Sequence, residues 1–136
     1  MSQSKLPWIV AGVAGAALVG VLFFTQRGQA ATHPDPRPGI TAELVLPSAA
    51  VPRKIGALEA YAAARSVPQV LDGIYCYCQC SKHSGHRSLL TCFESEHAAN
   101  CDICMGEAML AAQMSARGGG SSLEQIRTAI DARFGT

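Results

Sequence analysis

Six cysteines concentrated between Cys76 and Cys104 constrain this chain more than any other feature. Three of them alternate in "CYCQC", residues 76–80, and the others are Cys92, Cys101 and Cys104. A domain of about this size buries a limited apolar core, so disulfides or a bound metal commonly supply part of its stability. The sequence therefore indicates a small domain organised around sulfur. Its cysteines can form disulfides, exchange electrons or hold a metal ion.

The composition separates an apolar N-terminal segment from the remainder. Only 15% of the residues are charged and 49% are hydrophobic, whereas about a quarter are charged in a typical soluble domain. The apolar excess lies largely in residues 8–24, a stretch just long enough to span a membrane as a helix. Residues 1–30 are therefore predicted to be a membrane anchor or, if cleaved before Ala31, a signal segment. Both interpretations place the remainder on the periplasmic or extracytoplasmic side of the cell membrane, and cleavage would make it a secreted protein.

The middle of the chain is predicted to be a linker. Residues 31–51 are rich in proline, which favours an extended, semi-rigid spacer, and His33 is expected to be solvated there. Two of the 11 basic residues, Lys5 and Arg27, precede residue 31, so nine remain against ten acidic residues. This balance, without a basic stripe or a stacking surface of aromatic side chains, argues against a nucleic-acid partner.

Residues 52–136 are predicted to form an all-α domain of about four short helices around a cysteine-rich loop. The first helix would begin at Pro52 and end before Pro68. The later helices would cover residues 84–97, residues 101–117 with Asn100 or Asp102 as N-cap, and a C-terminal stretch opened by a Ser121–Glu124 capping box. Glu94, Glu96 and Glu107 are assigned to solvated helix faces.

Disulfides are the first explanation for the cysteines. Six cysteines outside the cytoplasm can form three bridges. Neighbours in a Cys-x-Cys run bridge one another only with strain when the chain is extended. At least two members of the 76–80 run would therefore pair with the three later cysteines. The result would be a structural, disulfide-stabilised domain.

Metal binding is the preferred explanation. The alternating cysteines present several thiolates to a common point, and Cys101-x-x-Cys104 is a usual chelating pair. Histidines border the same region, and Met105 and Met109 add thioethers. This donor set favours a soft ion, Cu(I) first and Zn²⁺ second. The predicted metal ligands are Cys76, Cys78, Cys80, Cys92, Cys101, Cys104, His86 and His97.

Redox chemistry is the third explanation. Cys101 and Cys104 occupy a helix start, where backbone amides stabilise a thiolate. The surrounding pattern lacks the strand–helix alternation of thioredoxin-like folds, so a thiol–disulfide exchange protein would have another fold. Covalent haem is not expected, because Met105 follows Cys104 where histidine would be required.

A metal donor or acceptor, or a redox protein, would be the partner, and the role would be capture, storage or delivery rather than catalysis.

The segments quoted above resemble the PCYCGC motif-containing proteins of bacteria, a family of unsettled function. The resemblance covers about residues 68–135 and includes "CYCQC", "GHRSLLTCF", "HAANCDIC" and "IRTAIDARFG". Tyr75 stands where the motif has proline, and Gln79 stands where it has glycine. The resemblance implies an extracytoplasmic, membrane-attached or lipid-attached setting and supports the domain boundary. The missing glycine argues against a tight turn between Cys78 and Cys80.

Overall fold

The computed structural model describes residues 31–135, and these residues form a helical domain. Its α-helices are α1 (Ala57–Ser66), α2 (Pro68–Asp72), α3 (Cys80–His83), α4 (Leu89–Phe93), α5 (Asp102–Ser115) and α6 (Leu123–Phe134). Three 3₁₀ turns cover Ala42–Leu44, Ser48–Ala50 and Glu96–Asn100. The all-α prediction is confirmed. The helices of the described part are more numerous and shorter than expected, and α1 begins at Ala57 rather than at Pro52.

Helix α5, the longest between residues 31 and 135, lies between α1 and α6 and forms the centre of the domain. Its buried residues follow a spacing of three, one and three positions from Cys104, which places them on one helical face. The facing side of α1 buries three alanines and Tyr61, so the two backbones can approach closely. Tyr61 packs edge-on against Phe93 of α4 with ring centroids 4.9 Å apart. Small side chains on α1 thus allow it to pack closely against α5, and Tyr61 connects α1 with α4.

The predicted helix over residues 84–97 is wrong in extent. Only Leu89–Phe93 is α-helical, and a separate 3₁₀ turn begins at Glu96. Ser95 adopts an extended conformation between them and its hydroxyl accepts a hydrogen bond from the His97 amide at 3.3 Å. A serine that caps a new turn competes with continuation of the preceding helix. His86 and His97 therefore lie outside α4, on either side of it.

The helix caps also differ from the prediction. The N-cap of α5 is Cys101, whose sulfur accepts from the Cys104 amide at 3.5 Å. The capping box of α6 is formed by Ser122 and Gln125, one position later than predicted. The predicted bounds of α5 agree with the structure to within two residues.

The proline-rich segment, residues 31–51, lies against the helices. Val45 and Val51 are buried in the core, and the Leu46 amide donates to the Phe93 carbonyl at 2.9 Å. The expectation that His33 is solvated is wrong, because its ring is only 9% exposed and lies 2.8 Å from a carboxylate oxygen of Asp131. The segment therefore supplies core side chains as well as a connection.

Buried Asp72, at the end of α2, fixes the same segment to the domain. Its carboxylate accepts from the Arg37 backbone and guanidinium, from Ser88 and from Arg87. Burial alone would raise the pKa of Asp72, but the hydrogen bonds and positive charge of Arg37 outweigh it and hold that pKa below its usual value. An ionised Asp72 thus ties residues 31–51 to the turn that precedes the cysteine run.

The predicted membrane segment, residues 8–24, lies outside the described residues. Between residues 31 and 135, no helix combines the length and hydropathy needed to cross a bilayer.

Candidate metal centre

The loop that carries the alternating cysteines is fixed by contacts from distant parts of the chain. The Tyr75 amide donates to His33 Nδ1 at 3.0 Å, and the Tyr77 amide donates to Glu107 Oε1 at 3.0 Å. The Tyr77 hydroxyl and the His33 ring both bind Oδ1 of Asp131, at 2.7 and 2.8 Å. Burial and the hydrogen bond to Asp131 raise the pKa of Tyr77 to about 12, so its hydroxyl stays a donor. The loop is therefore held in place before any ion binds.

A tight turn brings the three sulfurs of the loop together. The Gln79 amide donates to the Cys76 carbonyl at 3.0 Å, and Gln79 adopts a left-handed conformation with φ of 60°. Cys78 and Cys80 form a disulfide across it, with Cα atoms 5.6 Å apart. The expectation that neighbouring members of the run do not pair is wrong, because it assumed an extended chain. The turn at Gln79 supplies the separation that a disulfide requires.

Five sulfurs form one compact group. The sulfur atoms of Cys76, Cys78 and Cys104 make a triangle with sides of 3.2, 3.4 and 3.5 Å. With Cys80 and Cys92 added, all five sulfurs lie within 4.8 Å of one another. The residues that carry these sulfurs are buried, except Cys78, which is half-buried. Cys78 is therefore the most exposed residue of the triangle.

Two histidines complete a second, mixed group. His97 Nε2 lies 3.0 Å from the Cys80 sulfur, and His86 Nδ1 lies 3.2 Å from the Cys92 sulfur. The two rings meet edge-on with centroids 4.5 Å apart. Burial and the neighbouring His97 lower the pKa of His86, so its imidazole is neutral at pH 7 and can donate a lone pair to a metal.

Cys101 does not join either group. It belongs to the same Cys-x-x-Cys as Cys104, but its sulfur caps α5 and contacts the Cys104 amide instead. The thioether of Met109 is no better placed, since this side chain is 46% exposed and lines a surface groove with Gly106 and Arg133. Seven of the eight predicted ligand residues therefore converge in the two groups.

The thiols of Cys76, Cys92 and Cys104 shift one another's pKa. The Cys104 thiol, 3.4 Å away, and then the nearby Cys92 thiol lower the pKa of Cys76. Donation to Cys76 raises the pKa of Cys104. For Cys92, the neighbouring Cys104 thiol lowers the pKa, but the neighbouring Cys76 and burial outweigh it and raise the pKa. A metal that binds all three sulfurs therefore competes with protons, above all at Cys92 and Cys104.

Glu107 is a site residue that sequence reasoning missed. The assignment of Glu107 to a solvated face is wrong, because the side chain is fully buried. Its Oε1 accepts from the Tyr77 amide, and its Oε2 has no hydrogen-bond partner among the residues that the structure describes. Burial, followed by the charge of Cys76, raises the pKa of Glu107 to about 10. The sequence could have indicated this burial, because Glu107 lies three residues after Cys104 on α5 and residues at that spacing share a helical face.

The arrangement of the cysteines matches a known sequence family. A family model described as "Protein of unknown function with PCYCGC motif" matches residues 40–136, more than half of the chain. The chain belongs to the PCYCGC family. Neither the curated proteins nor the solved structures contain a match. The family resemblance is thus confirmed, and it brings no activity with it.

The turn at Gln79 explains the glycine of the PCYCGC motif. Glycine adopts a positive φ without steric cost, whereas another residue in the left-handed region costs about 1 kcal/mol. This chain keeps the turn although it has glutamine at that position. The expectation that the missing glycine argues against a tight turn between Cys78 and Cys80 is therefore wrong.

We expect Gln79→Gly to raise the free energy of unfolding by up to about 1 kcal/mol, because it relieves the left-handed conformation. Lys82→Gly is the matched control: it introduces the same residue inside α3, where it should lower the free energy of unfolding by about 1 kcal/mol. Urea unfolding of the reduced, metal-free chain measures both. Equal destabilisation by the two substitutions would contradict the turn conformation.

Proposed function

We propose that this protein binds a soft metal ion, Cu(I) or Zn²⁺, through its cysteine–histidine cluster, and that its role is capture, storage or delivery of that ion. The observation that carries the proposal is the convergence of five sulfurs and two imidazoles. In each of the two groups, all donor atoms lie within 4.8 Å of one another. The donors come from the 76–80 loop, from α4 and the segments on either side of it, and from the first turn of α5.

A purely structural role for the cysteines fits less well. Cys76, Cys92, Cys101 and Cys104 are unpaired. The disulfide between Cys78 and Cys80 closes a loop of three residues, and the entropy that a cross-link removes from the unfolded chain grows with loop length. This bridge therefore connects no two distant elements. A sulfur framework built for stability would join the helices instead.

The donor chemistry supports the choice of ion. Thiolates select Cu(I) and Zn²⁺ over hard cations, and imidazole suits both. A dithiol reductant, which is itself oxidised to a disulfide, would convert the Cys78–Cys80 bridge into two thiols. All five sulfurs are then available, so the fully reduced chain is the binding form. Cys78 is half-buried, so an incoming or leaving ion would reach the cluster at this residue.

The location of the protein is part of the proposal. The uncharged segment at residues 8–24 supports attachment to the cell membrane, with the cysteine-rich domain on the extracytoplasmic side. A metal-donor or metal-acceptor protein would then exchange the ion there. In that setting the reduced cluster competes with oxidation, and a bound metal protects its thiolates.

Native mass spectrometry of the full-length chain, purified from its own compartment, tests the proposal. The expected spectrum shows bound copper or zinc, and alkylation after metal removal labels all six cysteines. Absence of metal, together with failure of the reduced chain to take up stoichiometric Cu(I) or Zn²⁺, would overturn the proposal.

Thiol–disulfide exchange is a second candidate, favoured by one observation. The Cys76 sulfur lies 3.2 Å from Cys78, the nearer sulfur of the disulfide. Attack by the Cys76 thiolate would form a Cys76–Cys78 bond, break the Cys78–Cys80 bond and leave a thiolate on Cys80, with no other reactant consumed. An exchanger would carry no metal and would show a single reversible pair on alkylation.

A further inference from the structure

The two ligand groups overlap in two residues. Cys80 and Cys92 belong both to the all-sulfur group and to the mixed group with the histidines. Each of these sulfurs contacts one imidazole, Cys80 at 3.0 Å from His97 and Cys92 at 3.2 Å from His86. Each also lies within 4.8 Å of the triangle formed by Cys76, Cys78 and Cys104. The cluster therefore consists of two groups of donors that have the sulfurs of Cys80 and Cys92 in common.

Seven donors are more than one soft ion uses. Zn²⁺ in proteins takes four ligands, and a tetrahedron with metal–sulfur bonds of about 2.3 Å has edges of about 3.8 Å. The sulfur triangle, with sides of 3.2 to 3.5 Å, has close to the size of one face of such a tetrahedron. The mixed group supplies a complete set of two sulfurs and two nitrogens. Each group can hold an ion of its own.

We propose that the cluster is a dinuclear site in which Cys80 and Cys92 supply the thiolates between two soft metal ions. One ion lies on the triangle of Cys76, Cys78 and Cys104, and a shared thiolate completes its coordination. The other ion is bound by the two shared thiolates and both histidines. A thiolate can bridge two ions because it has more than one lone pair. This inference rests on the proposed function and adds the number of ions and the division of the ligands.

Charge balance favours Zn²⁺ as the probe. Five thiolates carry five negative charges, which two Zn²⁺ ions reduce to one and two Cu(I) ions reduce to three. The cluster is largely buried, and a buried net charge is costly. Two Zn²⁺ ions thus leave the smaller residual charge in the core.

The test is a Zn²⁺ titration of the reduced full-length chain, followed by native mass spectrometry. The wild type is expected to bind two ions, whereas His86→Ala and His97→Ala, made singly, should each retain one. His83→Ala is the matched control, since His83 is exposed and belongs to neither group; it should still bind two. Circular dichroism checks that each variant keeps its helices.

Replacement of Zn²⁺ by Co²⁺ gives a second readout that does not depend on counting ions. Thiolate-to-cobalt absorption should appear in two steps in the wild type and in one step in either histidine variant. A wild type that stops at one ion, or histidine variants that still bind two, would overturn the dinuclear site. Binding of no Zn²⁺, and of no Cu(I) in a parallel titration, would overturn the proposed function as well, so the two failures are distinguishable.

Discussion

Cys104→Ser is expected to weaken binding of Cu(I) or Zn²⁺ by at least about 100-fold, whereas Cys101→Ser should leave the affinity unchanged. Loss of a residue that merely supports a ligand commonly costs 10- to 100-fold, and loss of a ligand costs more. The sulfur of Cys104 is buried in the cluster within 3.5 Å of two other sulfurs. The sulfur of Cys101 caps a helix and contacts a backbone amide.

The two variants make a matched pair, because they exchange the same atoms within one turn of the same helix. Serine is a preferred N-cap, so Cys101→Ser should keep or slightly increase stability. Serine at position 104 places a hydroxyl in a buried site, which should cost about 1–3 kcal/mol without metal. Competition with a chromophoric chelator measures the affinities, and circular dichroism checks the fold. Equal affinity losses would show that Cys101 reaches the metal and would contradict the assignment.

The contrast between these two cysteines shows where sequence reasoning reached its limit. The spacing predicted that Cys101 and Cys104 act as a pair, as in most chelating Cys-x-x-Cys motifs. Cys101, however, lies in the extended N-cap position, with φ of −137° and ψ of 107°, while Cys104 is already inside the helix. The residue at which the helix begins decides which way the two side chains point. Helix boundaries are the least reliable part of a sequence prediction.

The convergence of the other predicted ligands was predictable, because alternating cysteines and nearby histidines indicate a common binding point. The turn that brings them together was not, since nothing in the local pattern marks Gln79 for a left-handed conformation. The packing of residues 31–51 against the helices could not be predicted from the sequence either. Proline density excludes a long helix, but it does not show that Val45 and Val51 fill the core. Both features depend on tertiary contacts.

In the reduced, metal-free protein, Glu107→Gln is expected to gain stability relative to the wild type as the pH rises from about 5 to 8. Burial, followed by the charge of Cys76, raises the pKa of Glu107 to about 10, so the native carboxyl keeps its proton. In the unfolded chain it ionises near its ordinary value of 4.5. Between these values the native carboxyl of Glu107 holds a proton that the unfolded chain has lost, so this group lowers the stability by up to about 1.4 kcal/mol per pH unit. The lowered pKa of Cys76 acts in the opposite direction in both proteins, so the difference between wild type and variant reports Glu107.

Urea unfolding of both proteins at pH 5, 6, 7 and 8, in the presence of a reductant and a chelator, measures the difference between their slopes. Glutamine keeps the acceptor for the Tyr77 amide and cannot ionise, so the advantage of the variant should grow with pH to several kcal/mol at pH 8. Glu124→Gln is the matched control on an exposed side chain and should leave the wild-type slope in place. Parallel curves for wild type and Glu107→Gln would mean that Glu107 is ionised in the native state. The metal-free cluster would then hold a second negative charge beside Cys76, and an incoming cation would meet a stronger attraction than a neutral carboxyl provides.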